Sequence, residues 1–333
     1  MKKHARVLTA LLAVLVLGLT LAACGSSDSG SSSSGSSKKS GSSGDSGSSG
    51  KLIKKDAANA SKSLTIGSKN FAEQFILGEI YSQALEAAGF KVKKSLDLGS
   101  EQIAFKALKG GQIDAYPEYT GTALTSFYRV KTDKIPRDKN KAYQELVTKL
   151  KGDGITGLPQ TPFQDTFVVT STKAEAKKLG NPKTISELAK KAGSKVSISG
   201  FPECRQRTDC LLGLKNIYGW TPKFVSSQGK YADLNGGQAN LTFGFGTDGE
   251  LALNKYATYA DDKNLFPPFY VTFLIKDSSL KKLGPEGQKV IEAVQKPMTE
   301  RVFQELNSRV TLDKQEPAKV AADYLKSFGF VKK

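Results

Sequence analysis

From Leu64 onward the chain alternates short strand-like apolar runs with segments of helical period, and this alternation limits the fold more than any other feature. "SLTIGS" reads as a strand. It runs into "NFAEQFILGEIYSQALEAAGF", where Ile76, Ile80 and Ala84 share one helical face, Asn70 with Glu73 forms a cap-like pair, and Gly89 ends the helix. "FKVKKSLDL" follows as a strand, "SEQIAFKALKGG" as a short helix with Ser100 as candidate cap, and "QIDAY" as a third strand. That strand delivers the chain into "DAYPEYTGT", Asp114 to Thr122, which has two large rings, a proline and no apolar pattern, and reads as a turn. Further strands are "DTFVVTS", "KVSISG", "ANLTFGFGT" and "FPPFYVTFLI". Between them lie the helices "TISELAKKAG", with a Thr184/Glu187 capping box, and "LLGLKNIYGW". The last third, "PEGQKVIEAVQKPMTERVFQELNSRV" and "EPAKVAADYLKSFGF", is helical. Strands alternating with helices predict an α/β fold with mainly parallel sheets. Leu64 to Lys333 is longer than one core usually serves, so two lobes are expected.

The first residues read as an address. "MKKHARVLTALLAVLVLGLTLAAC" places Lys2, Lys3 and Arg6 ahead of an apolar run from Val7 to Ala23, the pattern of a secretory signal. A membrane-spanning helix needs about 20 apolar residues, and this run falls slightly short. "LAAC" resembles a bacterial lipobox, which implies a signal peptide over residues 1–24 and a lipid on Cys24. The alternative is an uncleaved N-terminal anchor. The Gly/Ser-rich stretch from Gly25 cannot bury a core, so residues 25–63 are expected to be a flexible tether. On either reading the rest of the chain works outside the membrane.

Composition narrows the chemistry. The 333 residues are 38% hydrophobic and 24% charged, ordinary for a folded protein. The single histidine is His4, inside the segment expected to be removed, which disfavours histidine general-base catalysis and the usual zinc sites. There is no P-loop or dinucleotide fingerprint, and "GFGTDGE" lacks the spacing of one. No cofactor or metal is expected. The net charge of +17 reads as scattered lysines that keep a surface soluble, and nucleic acid fits an exported chain least. Cys204 and Cys210 in "ECRQRTDC" are expected to pair outside the cytoplasm.

Three ordered blocks, "IGSKNFAEQFILGEI", "ALKGGQIDAYPEYTGTAL" and "DDKNLFPPFY", resemble those of the extracellular solute-binding proteins of ABC importers for glycine betaine, choline and related quaternary amines. The resemblance runs from about Leu64 to the C-terminus. It includes the E-x-x-x-R pair Glu203/Arg207 and "TDG" at Thr247 to Gly249. It implies a type II periplasmic-binding-protein fold, two α/β lobes with a ligand cleft between them. Lobe I is expected over 64–164 and 271–333, and lobe II over 165–270. The implied partners are a small quaternary-amine ligand and an importer permease, for a monomer held at the outer face of the membrane by lipidated Cys24. No enzymatic activity is implied.

A trimethylammonium group carries charge without any N–H donor, so it is held by aromatic faces that attract the cation and cover its methyls. By resemblance Tyr119 is one ring of such a cage, with Phe167, Phe245 and either Phe269 or Tyr270 as the others. Phenylalanine stands at Phe167, where the family usually has tyrosine, and the whole cage looks phenylalanine-rich beside tyrosine-rich relatives. Lys69, Thr122 and Arg207 match the positions that hold a ligand carboxylate. Lys69 sits just ahead of a helix N-terminus, and Arg207 offers a fork for two-point binding. Their retention favours a zwitterion. Glu203 and Asp165 are assigned to lobe closure and Gln74 to a polar contact. The competing readings are a same-fold protein for another solute (an amino acid, polyamine or other osmolyte), an extracellular hydrolase, and a structural envelope lipoprotein. The hydrolase lacks a visible nucleophile and base.

Overall fold

The computed structural model describes residues 51–332. The expected signal peptide, Cys24 and the expected tether up to residue 50 lie outside the described residues. The strands are β1 (Ser63–Gly67), β2 (Lys91–Ser95), β3 (Ala115–Tyr119), β4 (Ile155–Gly157), β5 (Phe167–Thr172), β6 (Ser197–Gly200), β7 (Lys223–Ser226), β8 (Leu241–Phe245), β9 (Tyr256–Tyr259) and β10 (Val271–Lys276). They form two five-stranded sheets, ordered β2-β1-β3-β10-β4 and β7-β6-β8-β5-β9. In each sheet the first three strands are parallel, and the fourth (β10 or β5) runs against both its neighbours. The sheets are therefore mixed, each with one reversed strand.

Those two reversed strands lie where the chain crosses between the sheets. The segments on either side of the crossing pair antiparallel. Leu158 N–H donates to Phe273 O at 3.0 Å, Thr161 N–H to Val271 O at 2.8 Å, and Asp165 N–H to Phe269 O at 3.0 Å. A bridge joins Gln164 to Tyr270. Two hydrogen-bonded crossings of this kind connect the two sheets.

Helix Ala72–Ala87 packs its buried Ile76, Leu77, Ile80, Tyr81, Ala84 and Leu85 against the first sheet and helix Pro317–Ser327. Tyr81 meets Phe273 of β10 edge to face at 5.0 Å. Each such side chain contributes about 1.5–3 kcal/mol on burial. Helix Glu300–Thr311, N-capped by Thr299, leans on the turn Gly249–Leu253, so it touches the half of the molecule that carries the second sheet. Gly249 permits that approach, because a Cβ there would collide with the Ser308 backbone.

Several expectations need correcting. "AYPEY" is no turn: it is strand β3, buried at all five positions. Its ladder to β1 is limited to the pair Ile66–Ala115, and the rest of the strand, including Pro117 with no N–H to offer, lies against β10. The tether does not reach residue 63. Ile53 N–H donates to Phe330 O, Asp56 N–H to Ala88 O, and Asn59 is buried. Asn70 and Glu73 do not cap the first helix, whose N-cap is Phe71 without a side-chain bond; Ser100 likewise occupies the N-cap of Glu101–Gly110 without one. The long C-terminal helix splits into Asp277–Gln295 and Glu300–Thr311. "FPPFY" precedes β10, which starts only at Val271. Thr184 does cap its helix, accepting from Glu187 N–H at 3.1 Å.

Candidate ligand-binding site

The strand ends aim the site. β1 leads into Lys69 to Phe71, β3 ends on Tyr119, β5 begins at Phe167, β6 leads into Phe201, β8 ends on Phe245, and Phe269 precedes β10. Ligands of α/β sheets gather at strand ends of this kind, where loops from several strands converge. The cavity between these ends has a volume of about 270 Å³. Drug-sized sites run from about 300 Å³ upward, so this one suits a small solute.

Six rings line it: Phe71, Tyr119, Phe167, Phe201, Phe245 and Phe269. They form a continuous chain. Tyr119 and Phe71 stack with centroids 6.2 Å apart, Phe71 and Phe245 at 6.0 Å, and Phe245 and Phe167 at 5.0 Å. Phe167 then meets Phe201 at 6.1 Å and Phe269 edge-on at 5.3 Å. The Phe71–Phe245 stack joins the two sheets' halves across the cleft.

Of the residues anticipated, Lys69, Tyr119, Thr122, Asp165, Phe167, Glu203, Arg207, Phe245 and Phe269 all line this cavity. Two do not. Tyr270 lies outside it with Lys139 Nζ 5.0 Å from its ring, because successive residues of an extended segment face opposite ways. Gln74 is buried behind the wall and accepts from the Lys69 N–H at 3.2 Å. Phe71 and Phe201 were missed. Phe71 lay inside a segment read for its helical period, and Phe201 carried one usable signal, its place just past the end of a parallel strand.

The carboxylate clamp also differs from expectation. Lys69 Nζ is ion-paired with buried Glu118, which further accepts from Tyr116 OH at 2.9 Å and the Tyr119 N–H at 2.7 Å. Arg207 gives Nε and Nη2 to Asp209 at 2.8 and 2.6 Å, Nη1 to Glu101 at 3.2 Å, and Nη2 to Thr122 Oγ1 at 3.4 Å. A guanidinium has five N–H groups, so two-point capture of a ligand carboxylate would require breaking one of these bonds. Glu203 lines the cavity, but the carboxylates that pair with Arg207 are Asp209 and Glu101. Burial works against the Arg207 charge, yet Asp209 and then Glu101 outweigh it and raise its pKa. Burial likewise works against the Glu101 carboxylate, but Arg207 and Lys69 hold its pKa below the usual range.

Protein cations already rest on several rings. Lys69 Nζ is 4.4 Å from the Tyr119 centroid, Lys230 Nζ 5.0 Å from Phe245, and the Arg207 guanidinium 5.4 Å from Phe167. Lys230, also unanticipated, pairs with Asp248 at 2.5 Å. Cys204 and Cys210 are joined by a disulfide that closes the loop carrying Arg207. Among the described residues there is no cluster that could hold a metal ion, and no helix is long and apolar enough to cross a membrane.

Residues 62–327 match the family described as the substrate binding domain of ABC-type glycine betaine transport systems. A glycine-betaine-binding protein of Pseudomonas aeruginosa is 29% identical over 80% of this chain and 88% of its own length. An ergothioneine transport permease/ergothioneine binding protein of Helicobacter pylori is 28% identical over 84% of this chain and 50% of its own length. The crystal structure of a glycine betaine/carnitine/choline ABC transporter protein superposes with a TM-score of 0.64 at 26% identity, covering 79% of this chain and 98% of that one.

Proposed function

Because the chain belongs to the family of substrate-binding domains of ABC-type glycine betaine transport systems, it is a solute-binding protein and not an enzyme, and we propose that it captures glycine betaine or a related quaternary amine in the ring-walled cavity by closure of its lobes. The observation that carries this reading is the chain of six rings around one small cavity. Each ring face contributes roughly 0.5–2 kcal/mol toward a methylated cation, so several together compete with water where one would not. The lobes taken to close are residues 64–164 with 271–333 against 165–270, about the two paired crossings. Tyr119 and Phe71 come from the first and Phe167, Phe201 and Phe245 from the second, so neither half alone surrounds the ligand. Ligand binding therefore favours the closed state, which the permease reads. A lipid on Cys24 would keep the monomer beside that permease.

The name of the Pseudomonas relative supports glycine betaine, and that of the Helicobacter relative keeps ergothioneine in the screen. The test is calorimetric titration with glycine betaine, choline, carnitine and ergothioneine beside an amino acid and a polyamine. Binding of the methylated cations, weakened roughly 2- to 30-fold by Tyr119→Ala, is expected. Binding of the amino acid or polyamine alone would sink the reading. The anchor is checked separately: Cys24→Ser should move the protein from the membrane fraction to the medium.

A further inference from the structure

Behind the cavity wall one hydroxyl stands between two carboxyl groups, of which Asp165 lines the cavity. Thr247 Oγ1 lies 2.5 Å from Glu73 Oε2 and 2.5 Å from Asp165 Oδ1. A hydroxyl has one hydrogen, so it donates to one neighbour and accepts from the other. Two ionised carboxylates cannot both be satisfied by it; one must arrive as the acid and donate.

The surrounding bonds say which. Glu73 is surrounded by donors. Tyr119 OH donates to Oε1 at 2.8 Å, and Asn307 Nδ2 to Oε2 at 2.9 Å. The Asn307 orientation is fixed by its second acceptor, the Thr247 carbonyl, also at 2.9 Å. Besides the hydroxyl, Asp165 Oδ1 has among the described residues only the long contact from the Thr247 N–H, at 3.4 Å, so Glu73 is the better-supplied acceptor and the proton is assigned to Asp165 Oδ1. Asp165 lines the cavity two residues before Phe167 in the same extended segment, so both face the ligand space.

We propose that Asp165 holds a proton in the free protein, donated through Thr247 to Glu73, and that a bound quaternary ammonium takes the place of that proton. The proposal rests on the quaternary-amine reading above and adds how the cation is neutralised. For choline the exchange balances: the ligand cation enters, Asp165 releases H⁺ to solvent and becomes its counter-anion, and the charge of the cavity is unchanged. Glycine betaine brings its own carboxylate, so the same release leaves the cavity one charge more negative and choline should show the fuller proton release. The other ionisable groups facing the pair are Tyr119, Tyr81, Asp248 and Lys230. Burial, then Glu73 and Asp248, push the Asp165 carboxyl well up. Burial also raises Glu73, with the Thr247, Asn307 and Tyr119 bonds opposing it. Lys230 stays charged: burial opposes its charge but Asp248 outweighs it.

The experiment has two arms on the folded chain. In the ligand-free protein, carboxyl carbon NMR should show one of the two groups still protonated at neutral pH; two ionised carboxylates there would overturn the proposal. In the second arm glycine betaine and choline are titrated by calorimetry in phosphate and in Tris. Binding should release about one proton, and affinity should improve up to about tenfold per pH unit until Asp165 ionises on its own. Asp165→Asn keeps a donor for Thr247 but no releasable proton, so proton release and pH dependence should vanish. Binding with equal heats in both buffers and pH-independent affinity overturns the proposal while leaving the quaternary-amine reading intact. Failure of both probes to bind overturns that reading and the exchange with it.

Discussion

The two sheets share one topology, yet their matched strand ends present different chemistry to the cleft. At equivalent places, β1 leads into Lys69 where β6 leads into Phe201, and β3 ends on Tyr119 where β8 ends on Phe245. The first half supplies groups tied by hydrogen bonds: Lys69 to Glu118, and Tyr119 to Glu73. The second supplies at these ends bare rings held by packing against one another, and its cavity-lining cations, Arg207 and Lys230, come from the loops. One scaffold used twice thus separates two tasks. At these matched strand ends the first half fixes orientation through hydrogen bonds, and the second provides apolar cover. Changes in the first should register mainly as lost stability, and changes in the second mainly as lost affinity.

The largest effect that would break this comparison is at Glu118. Glu118→Ala leaves Lys69 buried without its counter-ion and Tyr116 OH without its acceptor, so a loss of about 3–5 kcal/mol is expected in urea unfolding. A loss no greater than that of an exposed glutamate would refute the first half's dependence on buried charge. Next comes Tyr119→Phe, which keeps the ring and removes the donor to Glu73. It should cost about 1–3 kcal/mol of stability while moving ligand affinity much less. Phe245→Leu is the converse, with similar bulk but no ring face. It should weaken a quaternary amine by about 0.5–2 kcal/mol with the unfolding midpoint nearly unchanged.

Acid sharpens the contrast. The Glu101 pKa is depressed in the folded state, so the stability it contributes is present above the unfolded value of about 4.3 and is lost as pH falls through the folded value. Asp165 has the opposite sign. Its pKa is raised, so its contribution is present below the unfolded value of about 3.9 and is lost as pH rises through the folded one. Glu101→Gln should flatten the acid limb of a stability–pH curve, and Asp165→Asn the limb toward higher pH. The smallest effect expected is at Tyr270, outside the cavity. Tyr270→Leu should leave affinity within about 0.5 kcal/mol of the parent.

Period and punctuation carried most of the fold. The strand–helix alternation located both sheets, because core burial imposes those periods on the sequence. What failed was non-local. β3 looked like a turn because proline and two rings are turn-like alone, and only the pairing with β10, more than 150 residues later, makes it a buried strand. The site divided the same way. Nine anticipated residues meet in one cavity, since strand-end motifs are contiguous in sequence. The partners that neutralise Lys69 and Arg207 were invisible, since Glu118 and Glu101 lie on other elements and nothing in the loop sequence marks Asp209 as a partner of Arg207. Phe269 and Tyr270 could not be told apart until the backbone showed which one faced inward.

The first described residues have a mechanical consequence. Ile53 and Asp56 are fastened to Phe330 and Ala88, beside the end of the first long helix and the last one. Tension arriving from upstream is taken up at those two points before it reaches any residue of the cavity. Under the proposed Cys24 anchor, a leash attached there would hold the molecule in place without prising its jaws, so the firmness of its mooring and the tightness of its grip on cargo would vary independently.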